Sequence, residues 1–263
     1  MRNYGRLLAG LLMLGATGSV VLAAQSPPKQ AAAMLGQGYL APSDLPDSLL
    51  LLPPPPERGS PAEARDIAAA AAAVALQGSA RWTLAGRDAD LFSDRATAAM
   101  SCAAGRSIGP KTTPRLNALM RKVIPDLGLA TYAAKTKYQR TRPFVVNGAT
   151  NCTPQQSAKL ATDGSYPSGH SAIGYGWGLI LAEVMPDRAT ALVQRGREFA
   201  DSRRICNVHW LSDVEAGEVI GAAVVAQLHA DRTFRKDLDA VRKELASTAP
   251  LPAEDCVPNA ATR

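Results

Sequence analysis

The sequence predicts an all-α protein built as one domain of packed helices, on three observations. Of 263 residues 46% are hydrophobic, enough to bury a real core and unlike a disordered tail. Aromatic residues make up only 5% while alanine and leucine abound, whereas a sandwich or barrel of short strands wants more β-branched and aromatic side chains. No stretch alternates apolar and polar residues as a strand does, and no internal repeat is visible. Several segments instead carry strong helix formers bounded by Pro, Gly, Ser or Asp.

The elements follow in order. Residues 1–23 read as a secretory signal peptide, with Arg2 and Arg6 ahead of an apolar run from Leu7 to Leu22 and a small residue at Ala23. No lipoprotein cysteine follows it. The run is short for a membrane span, and no later segment offers about 18 consecutive apolar residues. A periplasmic or secreted protein is expected, with no stable membrane insertion after leader cleavage. Cleavage leaves 27 Lys+Arg against 23 Asp+Glu, a net +4 in place of +6.

Residues 24–60 form a Pro-rich arm. Pro27, Pro28, Pro42, Pro46 and the run Pro53–Pro56 favour polyproline conformation over regular helix. Leu49–Leu52 would dock the arm on a core or a second subunit, which leaves a homo-oligomer open. Residues 61–250 form the helical domain. Its first helix follows Pro61 through the alanines at 68–73 and stops by Gly78. A second is expected over 89–104, capped by Asp88. A third starts at Thr113 with Pro114 in its first position and kinks at Pro125. Helix resumes over 128–140, residues 144–166 read as a loop, and helices follow over 169–184, 187–203, 210–230 and 232–246. Residues 251–263 are a C-terminal tail. The four cysteines Cys102, Cys152, Cys206 and Cys256 are spaced too widely for a zinc site and suggest two disulfides, with three possible pairings.

Three clusters carry chemistry. The first is Lys135-Thr-Lys-Tyr-Gln-Arg-Thr-Arg142-Pro143. Lys135 and Arg142 lie seven apart, two helical turns, so both cations share a face and suit phosphate or carboxylate. The second is Tyr166-Pro-Ser168-Gly169-His170-Ser171 at the start of an apolar helix. Free amides and the helix dipole there make an anion site, Gly169 leaves room for a ligand, and His170 stands beside it to move a proton. The third is Ser202-Arg203-Arg-Ile-Cys-Asn-Val-His209-Trp-Leu-Ser-Asp213. On a helix, Asp213 accepts from His209 four residues before it and leaves the other ring nitrogen with a lone pair, as a nucleophile requires.

Each cluster has a plainer reading: a solvated basic helix end, an N-cap at Ser168, a surface pair worth about 0.5 kcal/mol. Together they hold two of the chain's three histidines and fit phosphoryl transfer through a phosphohistidine, in which cations and amides grip the equatorial oxygens. The remaining His229 reads as structural or surface.

In Lys135-x6-Arg142-Pro143, Pro167-Ser168-Gly169-His170 and Ser202-Arg203-x5-His209-x3-Asp213 the sequence resembles the type 2 phosphatidic acid phosphatase (PAP2) and vanadium haloperoxidase superfamily, and within it most of all the class A bacterial non-specific acid phosphatases. The resemblance implies a helical bundle of that type acting on small-molecule phosphomonoesters. It implies His209 as nucleophile, Asp213 as its orienting partner and His170 as general acid and then base. Lys135, Arg142, Arg203 and the amides of Ser168 and Gly169 would hold the phosphoryl oxygens. It implies no metal and no cofactor, with vanadate binding as a phosphate mimic. A vanadate-dependent haloperoxidase and a lipid or isoprenoid pyrophosphate phosphatase are the alternatives. Nucleic acid is not an expected partner, because the cations gather at motif positions and stacking aromatics are scarce.

Overall fold

A computed structural model describes residues 29–252 and Cys256; the expected leader over 1–23, the first residues of the arm and most of the tail lie outside the described residues. Among the described residues there is no strand, only an isolated antiparallel bridge between Arg106 and Pro250. The helices are α1 Lys29–Leu35, α2 Ser48–Leu51, α3 Pro61–Val74, α4 Ala80–Asp88, α5 Ser101–Ala104, α6 Pro114–Lys122, α7 Ile124–Leu129, α8 Tyr132–Tyr138, α9 Pro143–Asn147, α10 Ser157–Ala161, α11 Gly169–Val184, α12 Ala189–Ile205, α13 Leu211–Leu228 and α14 Arg232–Ser247.

The apolar α11 is the centre, sandwiched against α12 and α13. Glycines let the backbones approach: a Cβ on Gly178 would lie 3.0 Å from the Cα of Gly196, and one on Gly217 would lie 2.5 Å from the Ser168 carbonyl oxygen. The second contact sets the start of α11 against the first turns of α13, which brings two of the motifs together. On the far side, α14 buries Phe234, Leu238, Val241 and Leu245 at helical spacing.

Several expectations are corrected. Of the helix expected over 89–104 only the end is helical, as a 3-10 turn over Ala96–Met100 and α5; the helix before it is α4, where the Ser79 hydroxyl accepts from the Trp82 amide at 3.2 Å. Asp88 ends that helix instead of starting one. The Asp90 carboxylate then accepts from the amides of Phe92 and Ser93, and this local turn competes successfully with helix. The helix expected over 128–140 is shorter, ended by Gln139 with φ 43°. The loop over 144–166 contains two short helices, α9 and α10. The arm carries helices too, and it docks on the protein's own core. The Tyr39 and Leu40 amides donate to Asp126 at 2.9 and 3.1 Å, and Leu52 is buried while Leu50 and Leu51 stay exposed. The break at Pro125 falls where expected, between α6 and α7. The disulfides pair Cys102 with Cys256 and Cys152 with Cys206.

Candidate active site

The site forms where the starts of α11 and α13 meet the turn before α9 and the end of α12. His209 is not on a helix, as its spacing to Asp213 had suggested. It lies in the turn between α12 and α13, which Asn207 makes possible with φ 59°. That turn is held by the Cys152–Cys206 disulfide and by Phe144, whose amide donates to the Asn207 carbonyl at 3.1 Å. The His209 amide in turn donates to the Arg203 carbonyl at 3.3 Å.

All eight motif residues come together. Arg142 donates from Nη1 to Nε2 of His209 at 2.9 Å, so Nε2 carries the lone pair and Nδ1 the hydrogen. Nδ1 faces Asp213 Oδ2 at 3.4 Å, without full hydrogen-bond geometry. Arg142 also donates to the carbonyls of Leu160, Asp163 and Val208, and pairs with the Asp163 carboxylate at 3.1 Å. Lys135 donates to the Gly164 carbonyl at 2.6 Å and lies 3.9 Å from Asp163. Ser168 caps α11, accepting from the Ser171 amide. Its own amide donates to the Asp213 carbonyl at 2.9 Å, so it is not free for a ligand, while those of Gly169 and His170 have no acceptor among the described residues. A Cβ on Gly169 would lie 3.6 Å from its nearest neighbour, Thr131 Oγ1, so packing alone does not demand glycine there.

His170 is partly exposed, and its Nε2 donates to the Ala89 carbonyl at 3.2 Å, leaving Nδ1 to exchange a proton. Arg203 is fully buried, and none of its three guanidinium nitrogens has a partner among the described residues. Asp88, whose charge acts on Arg203, instead pairs with Arg195 and accepts from the Ser202 hydroxyl at 2.6 Å. Every unpartnered buried side-chain nitrogen or oxygen among the described residues belongs to Arg203, His209 or Ser165. Such atoms are rare because each costs roughly 1–3 kcal/mol, so their concentration at one place marks a site built for an anion.

The electrostatics agree. Burial and then the charge of Arg142 push Arg203 down to about 9, and burial pushes Lys135 down to about 8 against the pull of Asp163. Burial holds His209 and His170 well below the ordinary imidazole value. Arg142, Lys135 and Arg203 push His209 further in that direction, and Arg203 does the same for His170. Burial raises Asp213 despite the Arg140 beside it. A dianion among these cations would offset the shifts of Arg203, Lys135 and the two imidazoles.

Some neighbours were not singled out by spacing. Arg140 donates to Asp213 Oδ1 at 2.6 Å and to Asp66 Oδ2 at 2.7 Å, and Asp163 clamps Arg142. Arg140 lies inside the first basic run, which was its only signal. Asp66 looks like an ordinary helix former on α3. His229 lies away from the site, 3.1 Å from Glu183 and edge-on to Phe234.

The all-α scaffold thus brings two imidazoles among buried cations, a layout suited to holding an anion. Residues 123–237 match the model of the PAP2 superfamily. The chain is 41% identical to an acid phosphatase of Zymomonas mobilis subsp. mobilis over 203 residues, 76% of this chain and 75% of that one. It is 39% identical to a non-specific acid phosphatase of Providencia stuartii over 209 residues, 79% of this chain and 84% of that one. A non-specific acid phosphatase of Salmonella typhimurium is 42% identical over 172 residues, 65% and 69% of the two chains. The chain belongs to the PAP2 superfamily, among its acid phosphatases. No helix among the described residues is long and apolar enough to cross a membrane.

Proposed function

We propose that the protein is an exported acid phosphatase that hydrolyses small phosphomonoesters through a phosphohistidine on His209. The observation that carries this reading is the fully buried, unpartnered guanidinium of Arg203 beside an imidazole whose Nε2 holds its lone pair. Arg203, Arg142, Lys135 and the amides at the start of α11, capped by Ser168 and opened by Gly169, hold the phosphoryl oxygens. Substrate oxygens replace His209 as the acceptor of the Arg142 N–H, which frees Nε2 for in-line attack. The Nε2–P bond forms as the bond from phosphorus to the leaving oxygen breaks, and His170 gives that oxygen its Nδ1 proton. Water then attacks the phosphohistidine, returns a proton to His170 and releases phosphate with His209 restored.

The low imidazole basicity sets the pH dependence. His170 must arrive protonated, so binding of the dianion and mildly acidic pH act together to load it. No metal and no cofactor takes part, vanadate competes with substrate, and residues 1–23 are cleaved on export to the periplasm or medium. His209→Ala abolishes p-nitrophenyl phosphate hydrolysis and the acid-quenched phosphoenzyme. Substantial turnover in that variant sinks the nucleophile, and strong EDTA inhibition sinks the metal-free reaction.

A further inference from the structure

We infer that Arg140, backed by Asp66 and Ser212, is a positioning residue that fixes the Asp213 carboxylate against the His209 imidazole. The inference rests on the reading of His209 as nucleophile and Asp213 as its partner, and adds what holds that partner in place.

Asp213 is fully buried, and its two oxygens have separate duties. Oδ2 accepts from the Trp210 amide at 2.9 Å and faces Nδ1 of His209, while Oδ1 accepts from Nη1 of Arg140 at 2.6 Å. A carboxylate pinned at both oxygens cannot turn about its χ2, a torsion that is otherwise soft. Arg140 is itself pinned. Nη1 also donates to the Ser212 hydroxyl at 2.8 Å, and Nη2 donates to Asp66 Oδ2 at 2.7 Å. The Asp66 carboxylate closes the ring, accepting from the Ser212 amide at 2.8 Å and its hydroxyl at 2.6 Å. Asp66 comes from α3, so a helix that carries none of the motif residues supplies the anchor.

The charge arithmetic explains why two carboxylates share one guanidinium. Arg140 alone on Asp213 would neutralise it and weaken its hold on an imidazole that becomes positive when phosphorylated. With Asp66 on the other side, the Asp66–Arg140–Asp213 trio keeps one net negative charge. The fork of Arg140 also orients both carboxylates at once, which a lysine does not. Trp210 packs over the guanidinium, 5.3 Å from ring centre to Cζ, and restricts it further.

The test is a double-mutant cycle on p-nitrophenyl phosphate hydrolysis, with His209→Ala as the control. Arg140→Lys and Asp66→Asn are each made in the native protein and in Asp213→Asn. Either change lowers kcat on the order of 10- to 100-fold with little change in KM. In Asp213→Asn the same change has an effect of less than about twofold, because the group it positions is gone. Ser212→Ala, the mildest change, lowers kcat in the same direction. Inorganic phosphate still protects each variant against heat, since the cations that hold it are untouched. Equal losses in both backgrounds overturn the inference, as does a loss of activity that only follows loss of fold. Retained turnover in His209→Ala overturns the underlying reading instead, whatever the cycle returns.

Discussion

Two arginines of α12 stand two turns apart, both buried, in opposite situations. Arg195 donates through Nη1 to Asp88 Oδ2 at 3.2 Å, through Nη2 to Asp88 Oδ1, and through Nε to the Ala99 carbonyl at 3.0 Å. Arg203 has no partner among the described residues for any of its three nitrogens. A chain that completes one buried guanidinium and leaves the next bare is following different demands at the two places. Arg195 ties α12 to α4 and to the segment before α5. On the proposed reading Arg203 is kept for a ligand, and the fold carries it as a cost that the rest of the core offsets.

Exchanging each arginine for methionine breaks the comparison most directly. Arg195→Met leaves Asp88 buried without its main partner, and loss of one member of a buried pair costs about 3–5 kcal/mol. A fall in Tm of that order is expected, with turnover per folded molecule retained. Arg203→Met removes an uncompensated charge, so its Tm holds or rises, while kcat/KM falls about 10²- to 10³-fold with the lost transition-state contact. Denaturation and steady-state kinetics on the two variants read both effects. A Tm loss in Arg203→Met as large as that of Arg195→Met would make Arg203 a structural residue after all.

The contrast also shows what a sequence can carry. Lys135 and Arg142, Ser168 to His170, and Arg203, His209 and Asp213 form short-range patterns, and short-range patterns survive in one dimension. The kink at Pro125 and the long helices α11, α13 and α14 were legible for the same reason. What decides the site's electrostatics is long-range. Asp88 meets Arg195 across 107 positions and Asp66 meets Arg140 across 74, and in the sequence Asp88 reads as a helix cap and Asp66 as an ordinary helix former. The first half of the expected helix over 89–104 failed because Asp90 turned its carboxylate onto the backbone, a choice among local options that propensity does not rank. Cysteine spacing alone left three pairings open, and packing of α12 against the segment after α9 selected Cys152 with Cys206.

A smaller effect comes from inorganic phosphate. A ligand held at Arg203 stabilises the native state by about 2.7 kcal/mol at a hundredfold excess over its Kd, roughly 5–10 °C in Tm for a domain of this size. Arg195→Met shows the same rise from its lower starting point, and Arg203→Met shows little of it. An undiminished rise in Arg203→Met would mean that phosphate is held elsewhere.

The last effect builds up gradually with pH instead of appearing at one condition: it is the pH dependence of stability, and it too belongs to the neighbourhood of Arg203. His170 and His209 are held below the ordinary value of about 6.5 by burial and by the surrounding cations. Between the two values the unfolded chain binds the extra protons, so stability is present above about pH 6.5 and declines as pH falls. The slope approaches about 1.4 kcal/mol per pH unit for each histidine. Asp126 works in the opposite sense. Burial raises it to about 6, so it favours the folded state as pH falls through that value and partly masks the decline. The difference between native protein and His170→Ala/His209→Ala, measured by denaturation from pH 7 to 5, isolates the histidines from Asp126. The double variant should lose the histidine slope, and Arg195→Met should keep it. Phosphate should flatten it in the native protein, because a bound dianion raises both imidazoles toward their unfolded value. A slope that survives removal of both histidines would place the proton uptake outside the site.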